Sequence, residues 1–172
     1  MFPAGEIVEA EMAQPIPLDE AEFNSFYLRT APKLRSYLAR ITGDVLLADD
    51  LLQEAFCRFL QASLPAMDEA KKRSYLYRTA TNLACDHWRL RGREAGLERE
   101  PEAAAVEPDH DVARVFSRLG PRQRALLWLA YVEGCDHREI AGRLGLTHLT
   151  VRVSLYRARR KLARMLEREG LR

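Results

Sequence analysis

The apolar positions in the first half of the chain recur at helical spacing. One helix is predicted over residues 44–61, with Asp44 as its cap. Pro65 interrupts the chain after it, and a longer helix is predicted over residues 71–91. The inward sides of the two helices carry Leu47, Leu51, Leu52, Ala55, Phe56, Phe59 and Leu60, then Leu76, Ala80, Leu83 and Leu90.

The second half of the chain predicts three further helices joined by short turns. Pro121 opens the first, and Gly134 ends it. Asp136 and Glu139 form a capping-box pattern that starts a short second helix. Gly145 then ends that helix.

Thr147 is placed to cap the last helix, whose apolar stripe faces inward. That stripe consists of Val151, Leu155, Ala158, Leu162 and Met165. A short helix, a turn containing glycine and a basic second helix form a helix-turn-helix arrangement. We therefore expect this part of the chain to bind DNA. Residues at the start of such a second helix reach base edges, which here are His148, Leu149 and Arg152. Basic side chains further along such a helix contact phosphates. In this chain they are Arg157, Arg159, Arg160 and Lys161.

Composition supports an all-helical fold. Leu and Ala together account for 48 residues, whereas Val and Ile account for 12. The longest uncharged apolar segment, residues 125–132, is far below the roughly 20 residues that span a bilayer. No base precedes Arg29, so a signal peptide is not expected. We therefore expect a cytoplasmic protein that does not insert into membranes.

Charge is distributed in blocks behind a formal net charge of +2. Residues 71–93 carry seven bases and one acid, residues 94–111 carry seven acids and one base, and residues 138–164 carry eight bases and one acid. The acidic block is also rich in Pro, Gly and Ala, as linkers are. We therefore predict two small helical domains, residues 19–93 and 112–172, joined by a flexible acidic linker, residues 94–111.

An acidic arm, residues 1–18, precedes the first predicted domain. Residues 1–22 carry six acids and no base. Negative charge tethered near basic faces competes with phosphates, so we expect the arm to weaken DNA binding by the free protein.

The outward side of the predicted helix 44–61 carries four acceptor-bearing side chains, the acidic patch, which consists of Asp49, Asp50, Gln53 and Glu54. Paired carboxylates suit acid–base or metal chemistry, but no His or Cys accompanies them at ligand spacing. A protein-docking role is therefore the better interpretation, and no metal or catalytic residue is expected.

The outward side of the predicted helix 71–91 is polar and basic. Arg78, Asn82, Arg89 and Arg93 follow one another along it, which suits phosphate contact. Aromatic side chains are interleaved with them, namely Tyr75, Tyr77 and Trp88. These aromatics fit either base stacking or core packing, and packing is favoured for each taken alone. The odd number and wide spacing of Cys57, Cys85 and Cys135 predict buried, reduced thiols.

The residues from about 21 to 166 resemble a bacterial RNA polymerase sigma factor of the extracytoplasmic-function group of the sigma-70 family. Residues 48–56 are similar to the helix that binds the clamp of the largest polymerase subunit, which gives the acidic patch a partner. Residues 76–89 are similar to the helix that recognises and melts the promoter −10 element, and the loop 63–70 would hold a flipped base. The resemblance adds Asp86 to the −10 set, which consists of Arg78, Asn82, Asp86, Arg89 and Arg93.

Residues 119–124, 139–141, 150–152 and 157–159 resemble the domain of that family that reads the −35 element. The resemblance and the basic face define the −35 set, which consists of His148, Leu149, Thr150, Arg152, Tyr156, Arg157, Arg159 and Arg160. Leu149 stands where the family often has Gly, and Val153 and Ser154 stand where it often has Ser and Arg.

The resemblance implies a specificity subunit and not an enzyme. Core polymerase, promoter DNA and an anti-sigma factor are the implied partners, and no cofactor or small-molecule substrate is implied. Two alternatives remain open. A sigma-like decoy would sequester an anti-sigma factor without binding DNA, and a stand-alone helix-turn-helix regulator would leave the acidic patch unexplained.

Overall fold

The computed structural model describes residues 19–62, 64, 67–94 and 111–171, and within them every regular element is a helix. The helices are α1 Glu20–Thr42, α2 Val45–Gln61, α3 Glu69–Glu94, α4 Asp111–Ser117, α5 Pro121–Tyr131, α6 His137–Leu144 and α7 His148–Arg168. The all-helical prediction is confirmed. The arm and nearly all of the predicted linker lie outside the described residues.

Helix α1 was not predicted from the sequence, although one of its sides is buried and mostly apolar. Its buried residues are Phe26, Thr30, Ala31, Leu34, Tyr37, Leu38 and Ile41, which recur every three or four positions. This spacing was the available signal, and Pro32 inside it obscures the pattern. Helix α1 packs on α2 and α3.

Helix α2 begins where its cap predicts. Asp44 Oδ1 accepts hydrogen bonds from the backbone N–H groups of Leu46 and Leu47, at 2.9 and 3.1 Å. Helix α3 begins at Glu69, two residues earlier than predicted, because Asp68 Oδ1 accepts the N–H of Lys71 at 2.8 Å and caps the first turn.

The second half is a helix-turn-helix with two supporting helices. Asp136 and Glu139 form the predicted capping box of α6. Gly145 follows α6 in the left-handed region at φ 63°, and Thr147 Oγ1 accepts the N–H of Thr150 at 3.1 Å to cap α7. The short helix α4 was not predicted. It packs on α7, and its Val115 is buried.

The two halves pack against each other, which the sequence analysis did not foresee. Helix α6 lies on α3, and α5 lies on α1 and α3. One buried apolar cluster contains residues of both halves. At its edge the Tyr77 hydroxyl donates to Glu133 Oε1 at 3.4 Å, and the same carboxylate pairs with Arg143, whose guanidinium lies 4.8 Å from the Tyr77 ring centroid.

The three cysteines differ in their exposure to solvent. Cys85 and Cys135 are buried and free, but Cys57 is exposed, so the prediction of three buried thiols was wrong for Cys57. It lies on the outward side of α2, one residue after the buried Phe56. No described helix is both long and apolar enough to cross a membrane.

Candidate functional surfaces

The acidic patch lies on the side of α2 that faces away from the core. Asp50, Gln53 and Glu54 are exposed, and Asp49 is half-buried. Arg35 of α1 donates hydrogen bonds from its Nε and Nη2 atoms to the two carboxylate oxygens of Asp49. Hydrogen bonding from Arg35 lowers the pKa of the Asp49 carboxyl from its ordinary value. Part of the predicted patch therefore fastens α1 to α2.

The rest of the patch is open to solvent. Glu54 Oε1 pairs with Arg58 one turn later, at 2.7 Å. Asp50 and Gln53 make no side-chain hydrogen bond or ion pair with the part of the chain that the structure describes. These two side chains are consequently the ones a partner protein meets without first breaking an internal contact.

The −10 set forms one exposed row along α3. All five of its side chains are exposed. Arg89 pairs with Asp86 at 2.8 Å, both largely in solvent, so this pair is weak and readily exchanged for a phosphate. The predicted grouping of these residues on one side of the helix agrees with the structure, while their role stays a prediction.

Arg78 differs from the rest of the −10 set because it reaches the other half of the protein. A Cβ atom added at Gly145 would lie 2.5 Å from Arg78 Cδ. Its guanidinium also lies 5.8 Å from the Tyr75 ring centroid. One residue of the predicted DNA surface is therefore in contact with the turn of the helix-turn-helix.

The aromatic side chains of α3 are mainly packing residues. Tyr77 is buried, and burial raises the pKa of its hydroxyl above the ordinary value, with the Glu133 charge adding to the shift. Tyr75 is half-buried, with its ring centroid 5.9 Å from that of Phe59. Trp88 is also half-buried, and its ring lies 3.5 Å from the Cβ position of Gly120. Base stacking by Tyr77 would require it to leave the core.

The −35 set lies on the exposed surface of α7. All eight of its side chains are exposed, including Leu149, which is 68% accessible. His137 at the start of α6 joins five α7 residues around a shallow groove, namely Leu149, Arg152, Val153, Tyr156 and Arg159. Its ring centroid lies 5.5 Å from that of His148. The groove brings together two arginines, a tyrosine and apolar side chains from the first twelve residues of α7, and arginine and apolar side chains are among the groups that contact base edges.

The later arginines of α7 are held by tyrosines. Arg159 Nη1 donates to the hydroxyl of Tyr131 at 3.2 Å, and Arg160 lies 5.8 Å from the Tyr156 ring centroid. These contacts limit the freedom of the guanidinium groups without neutralising them. Neither arginine has an acidic partner among the described residues.

Two surfaces escaped the sequence analysis. A groove between the halves is lined by Arg29, Lys33, Arg73 and Arg143, and by Trp128. A second, apolar groove between α4, α5 and α7 is lined by Phe116, Leu127, Trp128, Tyr131, Val132, Arg159, Leu162, Ala163 and Leu166. Both combine residues far apart in the chain, so no local pattern reveals them. Among the described residues, no cluster of His, Cys, Asp or Glu could hold a metal ion.

Comparison with known families gives two matches, in chain order. The family described as sigma-70 region 2 matches residues 26–94. The family described as sigma-70, region 4 matches residues 110–162. The first match contains α2, α3 and most of α1, and the second contains the helix-turn-helix.

Curated relatives carry sigma-factor names. The RNA polymerase sigma-E factor of Streptomyces coelicolor is 31% identical over 165 residues, covering 86% of this chain and 93% of the relative. The Bacillus subtilis sigma factor SigZ is 28% identical over 143 residues, covering 78% and 81%. The Mycobacterium tuberculosis protein named "Probable ECF RNA polymerase sigma factor SigI" is 30% identical over 152 residues, covering 74% of this chain, which spans about half (51%) of its length.

A solved structure shares the fold. It is the sigma factor RpoE from Bartonella quintana in complex with the anti-sigma factor NepR, with a TM-score of 0.58 and 22% identity over 85% of this chain and 97% of that chain.

Proposed function

Because this chain belongs to the extracytoplasmic-function group of the sigma-70 family, we propose that it binds core RNA polymerase and directs it to specific promoters. The observation that carries the proposal is the presence, in one chain, of an exposed acidic patch and two exposed basic surfaces on three different helices. A stand-alone DNA-binding protein has no use for the acidic patch. A decoy has no use for the two basic surfaces.

The acidic patch is proposed to dock on polymerase through Asp50, Gln53 and Glu54. Asp49 would act indirectly, since Arg35 already occupies its carboxylate and fastens α2 to α1. The patch is then presented on a helix whose other side is buried and whose position is fixed by the core.

The −10 set is proposed to contact the opened promoter strand, and the −35 set to contact duplex DNA in the major groove. Extruding a base costs a few kcal/mol, which stacking at roughly 1–3 kcal/mol per base offsets. Trp88 fits this stacking role better than Tyr77. The Trp88 side chain is partly exposed, whereas Tyr77 is buried in the core.

The protein is proposed to recruit core polymerase to promoters and not to catalyse a reaction itself. The polymerase makes the RNA, so this chain needs no catalytic residue, cofactor or small-molecule substrate of its own. Cytoplasmic location follows from that role. An anti-sigma factor is a further proposed partner, since RpoE from Bartonella quintana shares the fold and forms such a complex.

Co-elution with bacterial core RNA polymerase on a sizing column tests the proposal. Wild-type protein is expected to co-elute with polymerase, and the variant Asp50→Arg/Gln53→Ala is expected to elute alone. Both side chains are exposed and make no hydrogen bond or ion pair within the described residues, so the variant is expected to keep its fold. Circular dichroism checks that it does.

A matched control makes the same change of charge elsewhere. Glu20→Arg/Asn24→Ala alters exposed residues at the start of α1 and is expected to co-elute like wild type. If folded wild-type protein does not co-elute, the proposal fails, and the decoy or the stand-alone regulator takes its place. If the control is lost as well, the effect is general electrostatics and not docking by the patch.

A further inference from the structure

One charged side chain is completely buried and plays no part in any of the proposed surfaces. Arg124 on α5 is 0% exposed, the largest side chain in the core. Its Nε, Nη1 and Nη2 atoms have no hydrogen-bond partner among the described residues. A buried guanidinium without acceptors is costly, because it gives up water and gains nothing in exchange.

The surroundings of Arg124 do not compensate for its charge. It is the fourth residue of α5, within the first turn, where the helix dipole disfavours a cation. Burial lowers the pKa of Arg124 to about 10, so the side chain remains charged near neutral pH. The titratable neighbour of Arg124 is the Cys85 thiol of α3. Burial raises the pKa of this thiol and keeps it protonated, so it supplies no negative charge to balance the guanidinium.

This unfavourable burial occurs where the two halves meet. Cys85 belongs to the first half and Arg124 to the second. Beside them Gly120, which precedes α5, packs on the ring of Trp88 of α3. Separating the halves therefore returns Arg124 to water and removes the penalty, whereas the contacts of Tyr77, Glu133 and Arg143 favour the packed arrangement.

The proposed function requires such a separation. Elements at −10 and −35 lie about 25 base pairs apart, or roughly 85 Å along B-DNA at 3.4 Å per base pair. In the packed arrangement Arg78 of the −10 set contacts Gly145, which lies only three positions before the first residue of α7. The packed protein cannot span both elements.

We propose that Arg124 destabilises the packed arrangement of the two halves, so that a fraction of the free protein is open and its two DNA-contact helices can separate. The inference rests on the proposed function only in explaining what the opening is for. The balance between packed and open forms is a property of the protein alone and is tested without polymerase or DNA.

The test measures how fast iodoacetamide modifies each cysteine, resolved by mass spectrometry. Buried Cys85 reacts only when its surroundings open, so its rate reports the open fraction, and exposed Cys57 serves as the internal reference. Arg124→Met replaces the cation with an apolar side chain of similar length. Modification of Cys85 is expected to slow at least about tenfold, with Cys57 unchanged.

The matched control is Arg122→Met, two residues earlier on α5 and exposed. Both arginines lower the pKa of Cys85 through their charge, and Arg122 has the larger effect of the two. Any slowing that comes only from a less reactive thiol is therefore at least as large in Arg122→Met. A second variant, Arg124→Gln, is neutral but polar and is expected to slow Cys85 less than Arg124→Met and more than the control.

Two results would overturn the inference. The first is Cys85 modification in folded Arg124→Met that is as fast as in Arg122→Met. The second is slowing of Cys135 alone, which would mean that Arg124 strains only its own half.

The proposed function is read separately, from promoter-dependent transcription with core polymerase. Polymerase supplied with Arg124→Met is expected to give less promoter-dependent transcript than polymerase supplied with wild type, because the packed arrangement of this variant is more stable. If wild type supports no transcription, the proposed function fails, and the labelling rates still decide the inference.

Discussion

Gly145 and Gly134 offer a matched pair for measuring the contact between the two halves. Both adopt left-handed backbone, at φ 63° and 65°. A Cβ atom at Gly134 would meet nothing within 4 Å, whereas one at Gly145 would lie 2.5 Å from Arg78 Cδ and 3.3 Å from its Cγ. Alanine substitution therefore imposes the same backbone strain at both sites and a side-chain collision at one.

The expected magnitudes follow from these two contributions. Left-handed backbone costs an L-residue about 1–2 kcal/mol. A more restricted unfolded chain returns about 0.4–1 kcal/mol of this. Gly134→Ala is therefore expected to lower the free energy of unfolding by about 1 kcal/mol. Gly145→Ala also forces Arg78 out of its rotamer, which adds about 0.5–1.5 kcal/mol and gives about 2 kcal/mol in total.

Urea unfolding, followed together by circular dichroism and tryptophan fluorescence, measures both free energies. Repeating the pair with Arg78→Ala removes the collision. The two glycine substitutions should then cost the same within about 0.5 kcal/mol. Equal costs with Arg78 in place, or a difference that persists after its removal, would refute the packing of α3 against the helix-turn-helix turn.

Two further predictions concern charge. Hydrogen bonds from the backbone N–H groups of Glu139 and Arg138 lower the pKa of the Asp136 carboxyl, so its contribution to stability is present above the unfolded pKa of about 3.9 and is lost as pH falls through the folded value. The stability advantage of wild type over Asp136→Asn, measured by thermal melts, should therefore shrink below about pH 4, and a constant difference would contradict this. Deleting residues 1–18 should raise the affinity of the free protein for duplex DNA at low salt. The deletion should have little effect at 1 M salt, where the Debye length is about 3 Å. Fluorescence anisotropy measures this affinity, and an unchanged value at low salt would exclude a role for the acidic arm.

Local signals in the sequence predict the start and end of several helices. Asp44, Asp136 and Thr147 cap the helices that their positions predict, because each acts on backbone groups two or three residues away. The exposed faces of α2, α3 and α7 follow in the same way, since helical periodicity decides which side chains share a face. Leu60 and Leu90 are exceptions, because they were predicted to face inward and are exposed near the ends of their helices. The candidate site residues could therefore be chosen from sequence.

Contacts between distant residues could not be predicted in this way. Tyr77 and Glu133 are 56 positions apart, and nothing near either residue indicates the other. The burial of Arg124 depends on the same packing, and arginine is a residue type that is almost never fully buried. The exposure of Cys57 runs against the general tendency of cysteine to be buried, and it follows from the position of this residue on the outward side of α2.

Arg78 links the packing of the protein to its proposed use. The acidic patch and the −35 set leave the interface between the halves free, whereas Arg78 both belongs to the −10 set and contacts the turn before α7. The Cγ and Cδ atoms of Arg78 lie close to Gly145, while the side chain as a whole is exposed. If Arg78 contacts the −10 element as proposed, a DNA backbone at this position competes with the turn before α7 for the same side chain. We therefore expect promoter DNA bound there to favour the open form without any change in α2.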